Sequence, residues 1–351
     1  MDLELSDEQS WLAESVGALL ARTPASHAWD ALLEFGALSI GRGADDLGAV
    51  ELALIARAIG ERLATVPFLS GAAARYAVGA ELAVGERDTI ALALLEPGLG
   101  WDLERPTTII DDDADGPMRV DGEKAPVEGA GNAAALLVLA GDGDGRRLAL
   151  VSTGQPGVTI VPGASIDGTL TVERVALTGA IARADGVLAR DRSEAGLQRL
   201  LMVGAMLSAA EAVGAASAVL ALARDYAGER KQFGRAIGSF QALRHLLADM
   251  YVKETSAWST VLFAAAALED ELEDARQTAH VAKAYASRAT LDIAHGALQV
   301  FGGIAFTEEH PAHTYLRRIV VRGRDFGGAR HHERAIGRVL AHADRVPEVV
   351  A

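Results

Sequence analysis

The sequence predicts a mainly helical protein with a central β domain. Residues 1 to about 88 space their apolar side chains at helical intervals. From 89 to 190 the pattern changes to short apolar or alternating runs, and from 191 to 351 the helical period returns in longer stretches. Half of the 351 residues are apolar but only 5% are aromatic, so small aliphatic side chains supply the interior, a composition suited to close-packed helices. The order is helices, strands, helices, without βαβ alternation, which argues against a Rossmann sheet. Three domains are expected: 1–88, 89–190 and 191–351.

In the first segment, Ser6 is a candidate N-cap, with Glu8 and Gln9 placed to satisfy first-turn amides. Leu12, Val16, Leu19 and Leu20 then form one stripe, and Leu52, Ile55 and Ile59 form a second. In the middle segment the runs TIALALLEP, AALLVLA, RRLALVST, GVTIVPG and LTVERVALTG read as strands, separated by turns such as GDGDG, and the β pattern ends near Asp185. In the last segment Leu200, Val203 and Leu207 share a face, as do Leu243, Leu246, Leu247 and Met250. A third long helix is expected over about 270–300. Long helices with short connections suggest an antiparallel bundle.

Charge and composition exclude whole classes of function. With 33 Lys and Arg against 48 Asp and Glu, the net charge is −15, which argues against nucleic acid and anionic membranes as main partners. The absence of Cys removes disulfides, thiolate metal sites and thiol nucleophiles. Met1 opens into acidic sequence without a basic and then apolar leader, and no apolar run approaches the ~20 residues of a membrane span. A soluble, cytoplasmic chain is the expectation.

Several short motifs look like sites but lack the required context. Gly129-Ala-Gly131-Asn-Ala-Ala134 matches a dinucleotide fingerprint, yet a strand and a turn follow it rather than a helix, so a turn is expected. Asp111, Asp113, Asp115 and Gly116 resemble the start of a calcium loop, but position twelve is Gly122 and Glu123 lies one residue late; an acidic surface turn is expected. His310/His313 and His331/His332 lack a suitably spaced third ligand and read as solvated helix-end residues. Nothing resembles a nucleophile elbow.

Two segments call for more than packing. In YAGERKQFGRAIGSFQALRHLLADM, Arg230 and Phe233 are placed one turn apart, Gly234 interrupts the helix, and Phe240-Gln241 opens the next. A guanidinium, an aromatic face and an amide at a helix break suit a nucleotide diphosphate: Arg pairs with phosphate oxygens, Phe stacks on the base and Gln hydrogen-bonds phosphate or ribose. In LQVFGGIAFTEEHP, Gln299, Gly302 and Gly303 end a helix in a turn whose amides can approach a phosphate. The competing reading is two ordinary helix joints with Gly caps.

ERKQFGRAIGSFQALRHLLADM and QVFGGIAFTEEHP…YLRR resemble the two C-terminal signatures of the acyl-CoA dehydrogenases, and the resemblance covers essentially the whole chain. ALALLEPGLGWD and DGEKAPVEGAGNAAALLVLAG are more weakly similar to middle-domain motifs of that family. The resemblance implies an N-terminal helical domain, a β-barrel middle domain and a C-terminal four-helix bundle, assembled as a dimer of dimers. It also implies FAD, an acyl-CoA substrate and electron-transfer flavoprotein or a similar acceptor. By the same resemblance, Arg230, Phe233, Gln241, Gln299, Val300, Gly302 and Gly303 hold the ADP half of a FAD bound mainly by the neighbouring subunit. Where that family holds the flavin ring, this sequence departs: Leu95 replaces a Thr, Trp101 replaces a Ser, and the W-I-T segment is absent.

The family resembled uses a Glu to remove the α-proton of the thioester. Ungapped counting from QVFGG puts Phe326 at that position, and the alternative family position is Lys231. Asp325 and Glu229 are the nearest carboxylates, displaced by one and two residues; on a helix such offsets turn a side chain by about 100° and 200°. The pattern resembles the non-catalytic subunits of actinobacterial heteromeric acyl-CoA dehydrogenases, which pair with a complete subunit and often act on steroid side-chain thioesters. A self-sufficient homomer using Asp325 or Glu229, and a flavin-free scaffold, remain as alternatives.

Overall fold

The capping signal at Ser6 is realised in both directions. Gln9 N–H donates to Ser6 Oγ at 3.1 Å and Ser6 N–H donates to Gln9 Oε1 at 3.0 Å, opening α1 (Asp7–Arg22). The computed structural model describes residues 4–39, 47–79, 82, 85, 88–101, 103–111 and 116–343. Among these, α2 (Ala28–Glu34), α3 (Ala49–Arg62) and α4 (Phe68–Val78) precede the strands. The strands are β1 (Ile90–Ala93), β2 (Ile109–Asp111), β3 (Arg119–Glu128), β4 (Ala135–Gly141), β5 (Arg146–Ser152), β6 (Val158–Pro162) and β7 (Val172–Val187). There follow α5 (Arg190–Glu229), a small hairpin of β8 (Lys231–Gln232) and β9 (Arg235–Ala236), α6 (Gln241–Glu269), α7 (Ala275–Phe301), α8 (Ala312–Arg322) and α9 (Ala329–Ala343).

The chain divides into two compact units, residues 1–14, 53–63 and 205–351 forming one and residues 15–52 and 64–204 the other. In the second unit the strand pairings close on themselves, β4 to β5 to β7 to β3 to β2 and back to β4, with β1 added to β4 and β6 to β7. This is the expected barrel. Its interior is filled by small aliphatic side chains, among them Ala91, Val120, Leu136, Val138, Ala149, Val151 and Val175. One ion pair is buried in this unit: Glu96 accepts from Lys124 Nζ at 2.8 Å, from Thr107 N and Oγ1 at 2.7 and 2.6 Å, and from Thr108 N at 2.8 Å. Burial pushes the Glu96 carboxyl up, but these four donors outweigh it and hold it down at about 2.

In the helical unit, α3 and α5 cross through two reciprocal glycines. A Cβ on Gly60 would stand 1.9 Å from the Glu211 carbonyl oxygen, and one on Gly214 would stand 2.0 Å from that of Arg57. No larger residue permits this approach. Gly296 of α7 similarly makes room for Met250 of α6. The core between the helices is Val219, Ala223, Met250, Ile293, Ala297, Val300, Phe301 and Ile319.

Two sequence expectations change. Helix α5 does contain an 18-residue window apolar enough to cross a membrane, with a mean hydropathy of 1.7, although 78% of that window is buried within the protein. Buried helices pass such a test because a bundle interior and a lipid interior select the same side chains. The other change concerns Phe233, which leaves the helix: α5 ends at Glu229, and Phe233-Gly234 form the hairpin turn between β8 and β9 with φ of 52° and 78°. Two successive left-handed residues are the geometry of a two-residue hairpin turn that matches strand twist.

Candidate active site

The two C-terminal segments meet at the ends of α5 and α7. Tyr226, one turn before Arg230, packs edge-on against Phe301 with ring centroids 5.4 Å apart, and Phe301 lies 4.4 Å from the ring of His310. The backbone of Arg230 is pinned by its own N–H to Tyr226 O at 2.8 Å and by the Ile237 N–H to Arg230 O at 2.8 Å. Its side chain is exposed, and the guanidinium makes no hydrogen bond or ion pair among the described residues. At the hairpin tip Phe233 is 92% exposed. Its ring stands edge-on to Phe240 at 6.1 Å, and the guanidinium of Arg235 covers the Phe240 ring at 4.1 Å. Gln241 is the exposed first residue of α6, whose cap residue Phe240 supplies no side-chain acceptor for the first-turn amides.

Gln299 is exposed on the last turn of α7, whereas Val300 is buried and its side chain belongs to the bundle core. Gly302 has φ 67° and ψ −143°, a conformation open essentially to glycine alone, and a Cβ on either Gly302 or Gly303 would meet nothing within 4 Å. Residues 230–248 include Arg230, Lys231, Arg235 and Arg244 but no acidic residue, a local cationic island in a chain of net charge −15.

The positions examined for a base are occupied otherwise. Phe326 is 6% exposed, in the turn between α8 and α9. Asp325 accepts from Arg322 Nη1 at 2.9 Å. Arg322 Nε also reaches Glu211 at 2.9 Å, and Arg318 Nη1 takes the other Glu211 oxygen at 2.7 Å. Glu229 and Lys231 are exposed on either side of Arg230.

The motifs discounted in the sequence mostly resolve structurally. Gly129 is left-handed (φ 72°) and leads into a single 3-10 turn, Ala130–Asn132, not an α-helix. The Ala130 amide is taken by Glu173 Oε2 at 3.0 Å. Burial pushes the Glu173 carboxyl up, against the pull of the amides at 129–131. Of the calcium-like stretch, Asp113 and Asp115 lie outside the described residues, and no group of three metal-type side chains occurs among those described. His310 accepts from the Ala312 N–H at 3.2 Å at the start of α8.

His332 departs from the solvated reading. It is 2% exposed, faces His280 with Nδ1 atoms 2.8 Å apart, and turns Nε2 toward the carbonyls of Phe326 and Gly327 at 3.1 and 3.2 Å. Burial first, then the neighbouring charges, hold His332 at about 3 and His280 at about 4. Sequence reasoning also missed the buried set of Glu211, Lys283, Arg318 and Arg322. Its one signal was charged residues on otherwise apolar helix faces.

The protein thus combines a unit with a closed strand barrel and a helical unit whose α5–α6 junction carries exposed cationic and aromatic side chains. Comparison with known proteins goes further. Residues 195–341 match the family model of the acyl-CoA dehydrogenase C-terminal domain. Acyl-CoA dehydrogenase FadE27 of Mycobacterium tuberculosis is 29% identical over 345 residues, 89% of this chain and 87% of that protein. Acyl-CoA dehydrogenase IpdE2 of Mycolicibacterium smegmatis is 43% identical over 122 residues, so the aligned part spans 34% of this chain and only 37% of that relative. The structure of the ChsE4-ChsE5 complex from Mycobacterium tuberculosis superposes with a TM-score of 0.86 at 26% identity, covering 99% of this chain and 100% of that one. The chain is thus similar to acyl-CoA dehydrogenases over most of its length, and its residues 195–341 match the C-terminal domain of that family.

Proposed function

We propose that this chain is the subunit of a heteromeric, FAD-dependent acyl-CoA dehydrogenase that completes its partner's flavin site and supplies no base of its own. The observation that carries this reading is the contrast between two places. At the base position stand a buried Phe326 and an Asp325 already paired with Arg322. At the ends of α5 and α7 the ledge of Arg230, Phe233, Gln241, Gln299 and Gly303 is exposed beside a half-buried Gly302, and the Arg230 guanidinium has no partner among the described residues.

The ledge fits the ADP half of FAD. The chain as a whole repels an anion, so attraction must be local, and residues 230–248 provide it. Arg230 would pair with phosphate oxygens, Phe233 would offer a ring face, Gln241 and Gln299 would offer amides, and the Gly302-Gly303 backbone would leave room for close approach. Val300 would act only by packing beneath Gln299. When bound, FAD supplies a hydride acceptor for α,β-desaturation of an acyl-CoA thioester. The reading assigns the cofactor ledge and the oligomerising surfaces to 191–351, the barrel to 89–190 and the leading helices to 1–88. It includes a complete acyl-CoA dehydrogenase subunit as partner in a dimer of dimers, electron-transfer flavoprotein or a similar acceptor, and a cytoplasmic setting. The two-component ChsE4-ChsE5 neighbour supports it, and a steroid-type thioester is the proposed substrate class, after the similar Tcur3481-Tcur3483 steroid ACAD.

The test is a visible spectrum of the chain purified alone and co-purified with its homologous partner. Flavin absorbance only in the co-purified complex supports the proposal. Stoichiometric flavin in the chain alone, bleached by acyl-CoA, overturns it in favour of a self-sufficient homomer, and no flavin in either sample favours a scaffold. In the complex, Arg230→Ala should weaken FAD retention roughly tenfold to a hundredfold, the effect of losing one charge-assisted hydrogen bond. Unchanged retention removes Arg230 from the site.

A further inference from the structure

The turn between α8 and α9 is strained and held from beneath. Phe326 and Gly327 follow one another with φ of 56° and 100°. Glycine adopts this freely, whereas for a phenylalanine it is an unfavourable conformation. Two buried side chains hold the turn. His332 Nε2 faces the carbonyls of Phe326 and Gly327, so it must carry the hydrogen; its Nδ1 is then the acceptor, and His280 carries the hydrogen between the two rings. Lys283, wholly buried on α7, donates to the carbonyl of Arg322 and to Ser208 Oγ at 2.7 Å. The Ser208 hydroxyl hydrogen is directed to Ala205 O at 3.0 Å, which leaves its oxygen free to accept.

Among the ion pairs of the described residues, the charges around Lys283 balance without it. Glu211 acts on it from α5, Arg322 from α8 and Asp325 from the turn, Arg318 pairs with Glu211, and His280 on its own helix and His332 on α9 are uncharged. Two guanidinium groups meet two carboxylates. A neutral amine has two N–H groups for its two acceptors; an ammonium would add a third N–H and an uncompensated buried charge. Burial lowers the Lys283 amine to about 7, with Asp325 and Glu211 pulling up and Arg322 pushing down.

We propose that Lys283 is a proton-operated latch: its neutral amine holds the Arg322–Gly327 turn closed, and its protonation releases the turn. On protonation, Asp325 leaves Arg322 for the new ammonium, and Phe326 relaxes out of its left-handed conformation. The partner Asp325 can make that exchange because it is the one carboxylate of the set that is partly exposed, at 28% against 3% for Glu211. The latch belongs to this chain alone and does not depend on the flavin reading.

Amide hydrogen–deuterium exchange on the full-length chain from pH 6 to 9, corrected for the intrinsic exchange rate, tests it. Peptides covering 322–328 should lose at least tenfold protection between pH 8.5 and 6, with a midpoint near 7, while peptides covering β4 keep theirs. In Lys283→Met, which lacks the amine that holds the turn, protection should be low and independent of pH throughout. A flat profile in the wild type, or the same loss in Lys283→Met, overturns the latch. Should Lys283→Met fail to fold, Asp325→Asn decides: without the second carboxylate the midpoint must move to lower pH, and an unmoved midpoint overturns the proposal.

Discussion

Arg322 holds Asp325 through one ion pair, Nη1 to Oδ2 at 2.9 Å, while its Nε reaches Glu211. The nearest carboxylate to the family's base position is therefore part of a four-member charge cluster.

Asp325→Asn should consequently leave turnover of the assembled enzyme within about twofold of wild type and lower the stability of the chain by about 1–2 kcal/mol, the effect of one charge-assisted bond. Steady-state assays and urea denaturation measure the two sides. A turnover loss of a hundredfold or more would make Asp325 the base and the chain self-sufficient.

The glycine crossing of α3 and α5 has no slack. With a Cβ placed 1.9 or 2.0 Å from a backbone carbonyl oxygen, Gly60→Ala and Gly214→Ala should each destabilise by about 3 kcal/mol or more, since the helices must separate along the contact. Chemical denaturation measures this, with Gly17→Ala, where a Cβ meets nothing within 4 Å, as the near-neutral control.

Acid stability should be set partly by the histidine pair. Both imidazoles titrate lower in the folded chain, at about 3 and 4 against 6.5 for the free group, so the unfolded chain binds more protons between pH 6.5 and about 4. Stability must therefore fall as pH drops through that window, by at most about 1.4 kcal/mol per pH unit for each ring. His332→Gln keeps a donor for the turn carbonyls and should flatten the decline; an equally steep acid limb in that variant would show that other groups set it.

The buried pair in the barrel unit gives a different signature. Glu96→Gln leaves the Lys124 ammonium without its counter-charge and should destabilise by about 3–5 kcal/mol, whereas Glu96→Gln with Lys124→Met should recover much of that loss. Because folding lowers the Glu96 carboxyl from 4.5 to about 2, its contribution is complete above pH 4.5 and disappears as pH falls through 2. A double-mutant cycle in which the two effects simply add would refute the coupling.

Much of the architecture was legible because it rests on local rules. The Ser6–Gln9 cap, the switch from a helical to a strand period near residue 90 and the apolar stripe ending at Met250 are each decided within a few residues. The helix ends that carry Gln241, Gln299, Gly302 and Gly303 were also legible, since Gly marks where a helix stops. Phe233 was misplaced because the helix stops at Glu229, four residues earlier than the spacing suggested, and a hairpin turn takes over.

By itself the sequence determined the order of helical and β segments, the acidic balance of the whole chain, and a Phe at 326 with Asp325 beside it. Tertiary structure alone decided that Asp325 is occupied by Arg322, that His332 is buried against His280, and that Lys283 lies within a balanced set of charges. Periodicity and caps act over one or two turns, so a linear reading captures them. Buried charges are set by helices brought together from positions 211, 283, 318 and 332, and only their packing removes the water that would otherwise make each an ordinary surface group.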